Sequence, residues 1–210
     1  MLALAAELTE DDASVKVPTC PEWTVKDVFA HQAGVPADLV AGRLDGIATD
    51  EWTARQIAAR GDRTLAEIAA ELAEAGAQLD ALLEAAGDAG DRRLVIDQWT
   101  HEQDVRGALG RPGSRDVGVV AFALARMVPG FGRKWPTLGL APVRVVGSSG
   151  EWVLGEGQPV ATLRASDFEL VRVLIGRRSR EQAISLWEGD GEPFVDHFVA
   201  FSFSLDDIDE

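Results

Sequence analysis

The stretch Cys20-Pro21-Glu22-Trp23-Thr24-Val25-Lys26-Asp27-Val28-Phe29-Ala30-His31 decides the reading of this chain, together with Asp97-Gln98-Trp99-Thr100-His101-Glu102-Gln103-Asp104. In the first, Thr24 is placed to cap a helix and Asp27 to complete a capping box, each side chain satisfying an amide that the helix start leaves unpaired. Val25, Val28, Phe29 and Leu39 then recur at helical spacing, with His31 among them. In the second, a helix is expected from about Arg92 to Leu109, stopped by Gly110 and Pro112. At about 100° per residue, Leu94, Asp97, His101, Val105 and Ala108 fall on one side of it, with Asp104 at the edge of that stripe. A carboxylate and an imidazole thus occupy core positions, and burying them unpaired is costly. One compensation is a divalent ion gripped by Asp97 and His101 at i and i+4 and by His31 from the other helix, with a position left open for a reactant. The alternative is an Asp97–His101 hydrogen bond within the helix, or an Asp–Arg pair.

Working outward, residues 1–9 read as the end of a helix and residues 10–22 as a loop carrying Pro18 and Pro21. Gly34 and Pro36 are expected to kink or interrupt the helix that holds His31. A short helix follows over about 50–59, and Thr64 with Glu67 caps an amphipathic helix marked by Leu65, Ile68, Leu72, Leu79, Leu82 and Leu83. An apolar helix is expected over about 117–128, then a Gly/Pro-rich linker over 129–141. Beyond it come strand-like runs at Val143–Val146, Trp152–Leu154 and Val160–Leu163. Ser166 and Glu169 form a further capping box, for a helix that stops at Gly176. Ala183–Trp187 reads as a strand, Phe194–Phe203 as helix or strand, and the acidic tail from Asp206 as frayed. The composition shift near 110–142 divides the chain into a helical part, residues 1–130, and a small α/β part, residues 142–210, an α+β fold overall.

Composition narrows the function. The chain has 210 residues and a formal charge of −15, which disfavours phosphate backbones and anionic membranes. One cysteine, Cys20, excludes an internal disulfide and fits a reducing cytoplasm. There is no leader-like segment and no apolar run near the ~20 residues of a membrane span. No Gly-rich phosphate loop, nucleophile elbow or CxxC is present. The expected partners are therefore small molecules, with neither nucleic acid nor membrane among them.

Other chemistry-bearing residues read more plainly. Asp104, three residues past His101, is either a partner that orients a ligand or one half of a helix-surface or interhelical ion pair. His197 has no spacing to the other histidines. Cys20 lacks a visible base and reads as structural, and Trp23 reads as a packing anchor. Arg177-Arg178 suits a bidentate grip on a substrate carboxylate, or simple solvation at a helix end.

The run Thr19–His31, the run Trp99-Thr100-His101-Glu102-Gln103-Asp104-Val105-Arg106-Gly107-Ala108-Leu109-Gly110, and the later Ile175-Gly176-Arg177-Arg178 and Trp187-Glu188-Gly189-Asp190 resemble the mycothiol-dependent maleylpyruvate isomerase family. That family is a branch of the DinB-like metal-binding four-helix bundles. The resemblance implies such a bundle, followed by a small α/β domain akin to sterol carrier protein type folds. It implies His31, Asp97 and His101 as ligands of a divalent ion, usually zinc, with mycothiol as cosubstrate. It also implies an isomerase or S-transferase acting on a small electrophile, acidic if Arg177 or Arg178 serves it. A non-catalytic metal- or ligand-binding module and a hydrolase using zinc-bound water are the other readings. The chain departs from the family pattern in having Asp97 where Glu is expected. The family's first helix is also longer than residues 1–9 allow, so helix one is either short or begins ahead of this sequence.

Overall fold

The computed structural model describes residues 1–87 and 93–210. The chain divides into two compact units, Met1–Gly113 with Glu210 and Ser114–Asp209. The first is helical and the second contains the main sheet, so the fold is α+β. The division falls ahead of the apolar helix that the sequence reading placed in the helical part.

In the first unit, α1 (Leu2–Ala5) and α2 (Glu10–Ala13) are single turns. The expected loop over 10–22 instead contains α2 and an antiparallel hairpin, β1 (Lys16–Val17) and β2 (Cys20–Thr24). The overlooked signal is the reciprocal capping box between Thr9 and Asp12. Four longer helices follow: α3 (Val25–Val40), α4 (Asp50–Ala58), α5 (Leu65–Ala86) and α6 (Leu94–Ala108). Arg92, where the sequence reading starts the last of these, lies outside the described residues. Helix α3 is the hub, packing on α4, α5 and α6. Val25, Val28, Phe29 and Ala33 of α3 join Leu65, Ile68 and Leu72 of α5 and Val105 of α6 in one core.

The interruption expected at Gly34 and Pro36 does not occur. Helix α3 passes through both Gly34 and Pro36 without ending. Every residue from Val28 to Pro36 is buried, and that packing outweighs the lost hydrogen bond and ring clash of a helical proline. A Cβ on Gly34 would lie 2.6 Å from Cβ and Cγ of Gln56. Gly34 is therefore a close-packing residue, allowing α4 to approach α3.

In the second unit, α7 (Gly118–Leu138) runs through Pro129 and Pro136, over the residues expected to form a linker. Its buried Val120, Leu124, Val128 and Trp135 supply the stabilisation that overrides the prolines, and it ends at Gly139 in the left-handed conformation. The sheet has the order β4-β3-β5-β6, from β3 (Val143–Val146), β4 (Glu151–Leu154), β5 (Ala161–Arg164) and β6 (Trp187–Glu188). Strand β3 pairs antiparallel with β4 (Val143 opposite Leu154) and parallel with β5 (Val143 opposite Ala161). Val143 and Val145 point to the buried face while Arg144 and Val146 alternate outward, the period-2 pattern of a half-covered sheet.

Helix α8 (Asp167–Leu174) buries Leu170, Val171, Val173 and Leu174. Ser166 caps it through the Glu169 amide, but the expected reciprocal bond is absent because the Glu169 carboxylate is taken by Arg178. The segment read as strand Ala183–Trp187 is mostly α9 (Arg180–Ser185), opened by a Ser179/Gln182 capping box. Phe194–Phe203 contains only a 3-10 turn, Val195–His197.

Candidate metal centre

Helix α3 starts at the expected box: the Asp27 amide donates to Thr24 Oγ1 at 3.2 Å, and Asp27 Oδ2 accepts from the Thr24 amide at 2.8 Å. A cap of this kind contributes about 1 kcal/mol and fixes where the helix begins, hence where His31 points. Both imidazoles are buried, their rings 5.2 Å apart and nearly perpendicular. Trp23 packs on both, 5.5 Å from His31 and 5.9 Å from His101, so it is more than a general packing anchor.

The two rings turn the same nitrogen toward Asp97. His31 Nε2 is 4.0 Å from Asp97 Oδ2, and His101 Nε2 is 3.8 Å from Asp97 Oδ1. One ligand atom from each of the three residues lies within 4.8 Å of the other two. Zn–N and Zn–O distances of about 2.0–2.1 Å imply a tetrahedral edge of about 3.3 Å, so the set, whose ligand atoms lie within 4.8 Å of one another, has to tighten before it holds an ion. Asp97 can supply that movement, since 44 % of its side chain is exposed. It is steadied by Gln32, whose Nε2 donates to Oδ2 at 2.8 Å.

The other nitrogen of each ring is held from behind, by different chemistry. Gln56 Nε2 donates to Asp38 Oδ2 at 2.8 Å, which turns Gln56 Oε1 toward His31 Nδ1, also at 2.8 Å. The amide oxygen can only accept, so this network places the proton on Nδ1 and leaves the Nε2 lone pair facing Asp97. Burial and the neighbouring His101 charge lower the His31 pKa, against the opposing pull of Asp97 and Gln56. His101 Nδ1 lies 3.1 Å from Asp104 Oδ2, within charge contact but without the alignment of a hydrogen bond. Burial alone disfavours the charged ring. The contacts with Asp104 and Cys20 and the charges of Asp104 and Asp97 outweigh it, carrying the pKa up to about 10. Asp104, 1 % exposed, is therefore the partner behind a candidate ligand and not half of a surface ion pair.

A second group of donors shares His101. Cys20, His101 and Asp104 also offer ligand atoms within 4.8 Å of one another, and Cys20 Sγ is 3.9 Å from Asp104 Oδ2. Cys20 thus has acidic and imidazole neighbours that its loop position in the sequence did not reveal. Arg177 and Arg178, expected to contact substrate, lie in the second unit. Arg178 is buried, with its fork on both Glu169 oxygens at 2.7 and 2.8 Å, and Arg177 Nη1 donates to the Ile175 carbonyl. Glu169 thus occupies the Arg178 guanidinium fork that the sequence reading offered to a substrate carboxylate. His197 packs edge-on against Trp135 in that same unit.

Sequence reasoning did not find Gln56, Asp38 or Gln32. Gln32 follows His31 directly. Gln56 is 25 positions away on α4, and its only trace in the sequence is the glycine at 34 that makes room for it.

The profile of the mycothiol maleylpyruvate isomerase N-terminal domain matches residues 1–119. That is more than half of the chain, and the chain belongs to this family. No curated protein and no solved structure matches it.

Proposed function

We propose that this family member is a divalent-metal enzyme that uses a low-molecular-weight thiol, mycothiol, to isomerise or conjugate a small electrophilic substrate. The observation that carries this reading is the convergence of His31 Nε2, His101 Nε2 and Asp97 at 3.8–4.0 Å, with each Nδ1 backed by a separate buried partner. Two imidazoles and one carboxylate suit zinc and leave a position open. A zinc ion held there would stabilise a coordinated thiol as the thiolate.

The chain's own residues do the rest. Gln56 and Asp104 fix the ring orientations, a task whose loss typically costs 10–100-fold in metal affinity. Trp23 shields the imidazoles from water on its side. Gln32 holds the Asp97 carboxylate toward the two rings. The histidines on α3 and α6 around this point support a DinB-like bundle for the first unit. The four-stranded sheet with α8 and α9 supports a sterol-carrier-like second unit.

The test is metal content by elemental mass spectrometry on the purified protein and on a His31→Ala/His101→Ala variant, followed by maleylpyruvate turnover with and without mycothiol. The expected result is about one zinc per chain, lost in the variant, with turnover only when thiol and metal are both present. Turnover without thiol would indicate a zinc-water hydrolase instead. Absence of metal uptake would indicate a binding module.

A further inference from the structure

Cys20 is the chain's one cysteine, and the fold sets it at the back of His101. Strand β1 packs on α6, and Cys20, paired opposite Val17 in the hairpin, is carried to the same helix. Its Sγ lies 3.9 Å from Asp104 Oδ2, which in turn lies 3.1 Å from His101 Nδ1. Around a tetrahedral ion, with about 2.3 Å to sulfur and about 2.0–2.1 Å to nitrogen and oxygen, such donors stand about 3.3–3.6 Å apart. The two observed separations bracket that range, so these donors are already spaced for an ion.

The nitrogen that His101 turns to this side is an independent observation. The residue is 7 % exposed, and Nδ1 has no aligned hydrogen bond among the described residues. A buried polar atom left in that state is costly, and a cation shared with Asp104 and Cys20 would satisfy it. Cys20 is only half-buried, which leaves the ion a path from solvent. We infer that Cys20, Asp104 and His101 Nδ1 form a second metal site, one that takes a soft, thiophilic cation of the cadmium class. Sulfur supplies the selectivity, since thiolate favours soft ions whereas the His31–Asp97–His101 set offers nitrogen and oxygen alone. The two sites exclude each other because they share one ring. A neutral imidazole metallated at Nδ1 carries its proton on Nε2, where it turns a donor, and no lone pair, toward Asp97. The soft ion therefore displaces zinc, a step that rests on the metal centre proposed above.

Cadmium alone is the probe, followed by its thiolate charge-transfer band in the ultraviolet, which in this chain can come only from Cys20. The full chain, free of metal, should develop the band stoichiometrically. Cys20→Ser should lose the band and keep zinc, whereas His31→Ala should lose zinc and keep the band. His101→Ala should lose both, and Asp104→Asn should weaken cadmium. Added to the zinc-loaded protein, cadmium should release zinc in step with growth of the band. No band in the parent, a band unaffected by His101→Ala, or loss of the band in His31→Ala would each overturn the inference. So would loss of zinc in Cys20→Ser, or zinc fully retained as the band grows. A protein that takes up no zinc yet shows the band in this pattern would overturn the metal centre proposed above and leave the thiophilic site standing.

Discussion

The two histidine arms of the candidate centre perform one task with opposite electrostatics. On the α3–α4 side, His31 is backed by a neutral amide, with the carboxylate of Asp38 one link further away. On the α6 side, His101 is backed directly by the buried carboxylate of Asp104. The first arrangement keeps its imidazole neutral and ready to ligate, and the second makes its imidazole basic. A cation arriving at the site finds a lone pair free at His31 and must displace a proton at His101. On the proposed reading, the stronger ligand is therefore also the one that responds to pH.

Removing a ligand is the most severe way to break this comparison. His31→Ala and His101→Ala should each abolish stoichiometric zinc, read by elemental analysis, and the arms should be equal in this respect. Removing the backing separates them. Asp104→Asn keeps the shape and loses the charge, and should weaken zinc toward the upper end of the 10–100-fold range for such partners, with Gln56→Leu toward the lower end. Competition titration against a chelator measures both.

The pH dependence sharpens the contrast further. With its pKa up to about 10, His101 in the metal-free protein carries a proton that zinc must release. Apparent zinc affinity should rise about tenfold per pH unit through the range below that value, as one-proton linkage requires. In Asp104→Asn that rise should end near the ordinary histidine range. The same proton affects folding. The folded ring holds it more tightly than the unfolded chain, so its stabilisation is complete below pH 6.5 and is lost as pH climbs to about 10. His31, with its pKa lowered, acts in the other direction and costs stability as pH falls below 6.5. Thermal melts of the metal-free parent and Asp104→Asn across this range isolate the first effect.

A smaller effect is expected at Gly34. Its replacement by Ala gains up to about 1 kcal/mol of helix propensity but forces a Cβ to within 2.6 Å of Gln56. Overpacking of this kind costs about 1–3 kcal/mol, so the melting temperature should drop and Gln56 should shift from His31. The mildest change is Asp97→Glu, whose added methylene spans the present 3.8–4.0 Å gaps and should leave zinc binding equal or slightly tighter.

The sequence made the candidate ligands legible and most of their support illegible. Asp97, His101 and Asp104 sit at i, i+4 and i+7 of one helix, a spacing that geometry alone turns into a shared face. His31 follows from a capping box that fixes the start of its helix. Gln56 and Asp38 belong to a contact between helices, and nothing local announces them. Pro36, Pro129 and Pro136 were misleading for the same reason: each breaks a helix in isolation, and burial of Pro36 itself and of Val128 and Trp135, which precede the other two, outweighs that tendency here. At α9 the local signal was present, in the Ser179/Gln182 box, and the apolar run beyond it pointed the other way.

The central claim is that the ion is held by the Nε2 atoms of both histidines and by Asp97, and not by the neighbouring group of Cys20, His101 and Asp104. Zinc K-edge absorption spectroscopy on the zinc-loaded protein tests this directly. The account predicts a nitrogen and oxygen shell at about 2.0–2.1 Å with outer scattering from two imidazoles and no sulfur. A sulfur scatterer at about 2.3 Å would place the ion on Cys20 and contradict it.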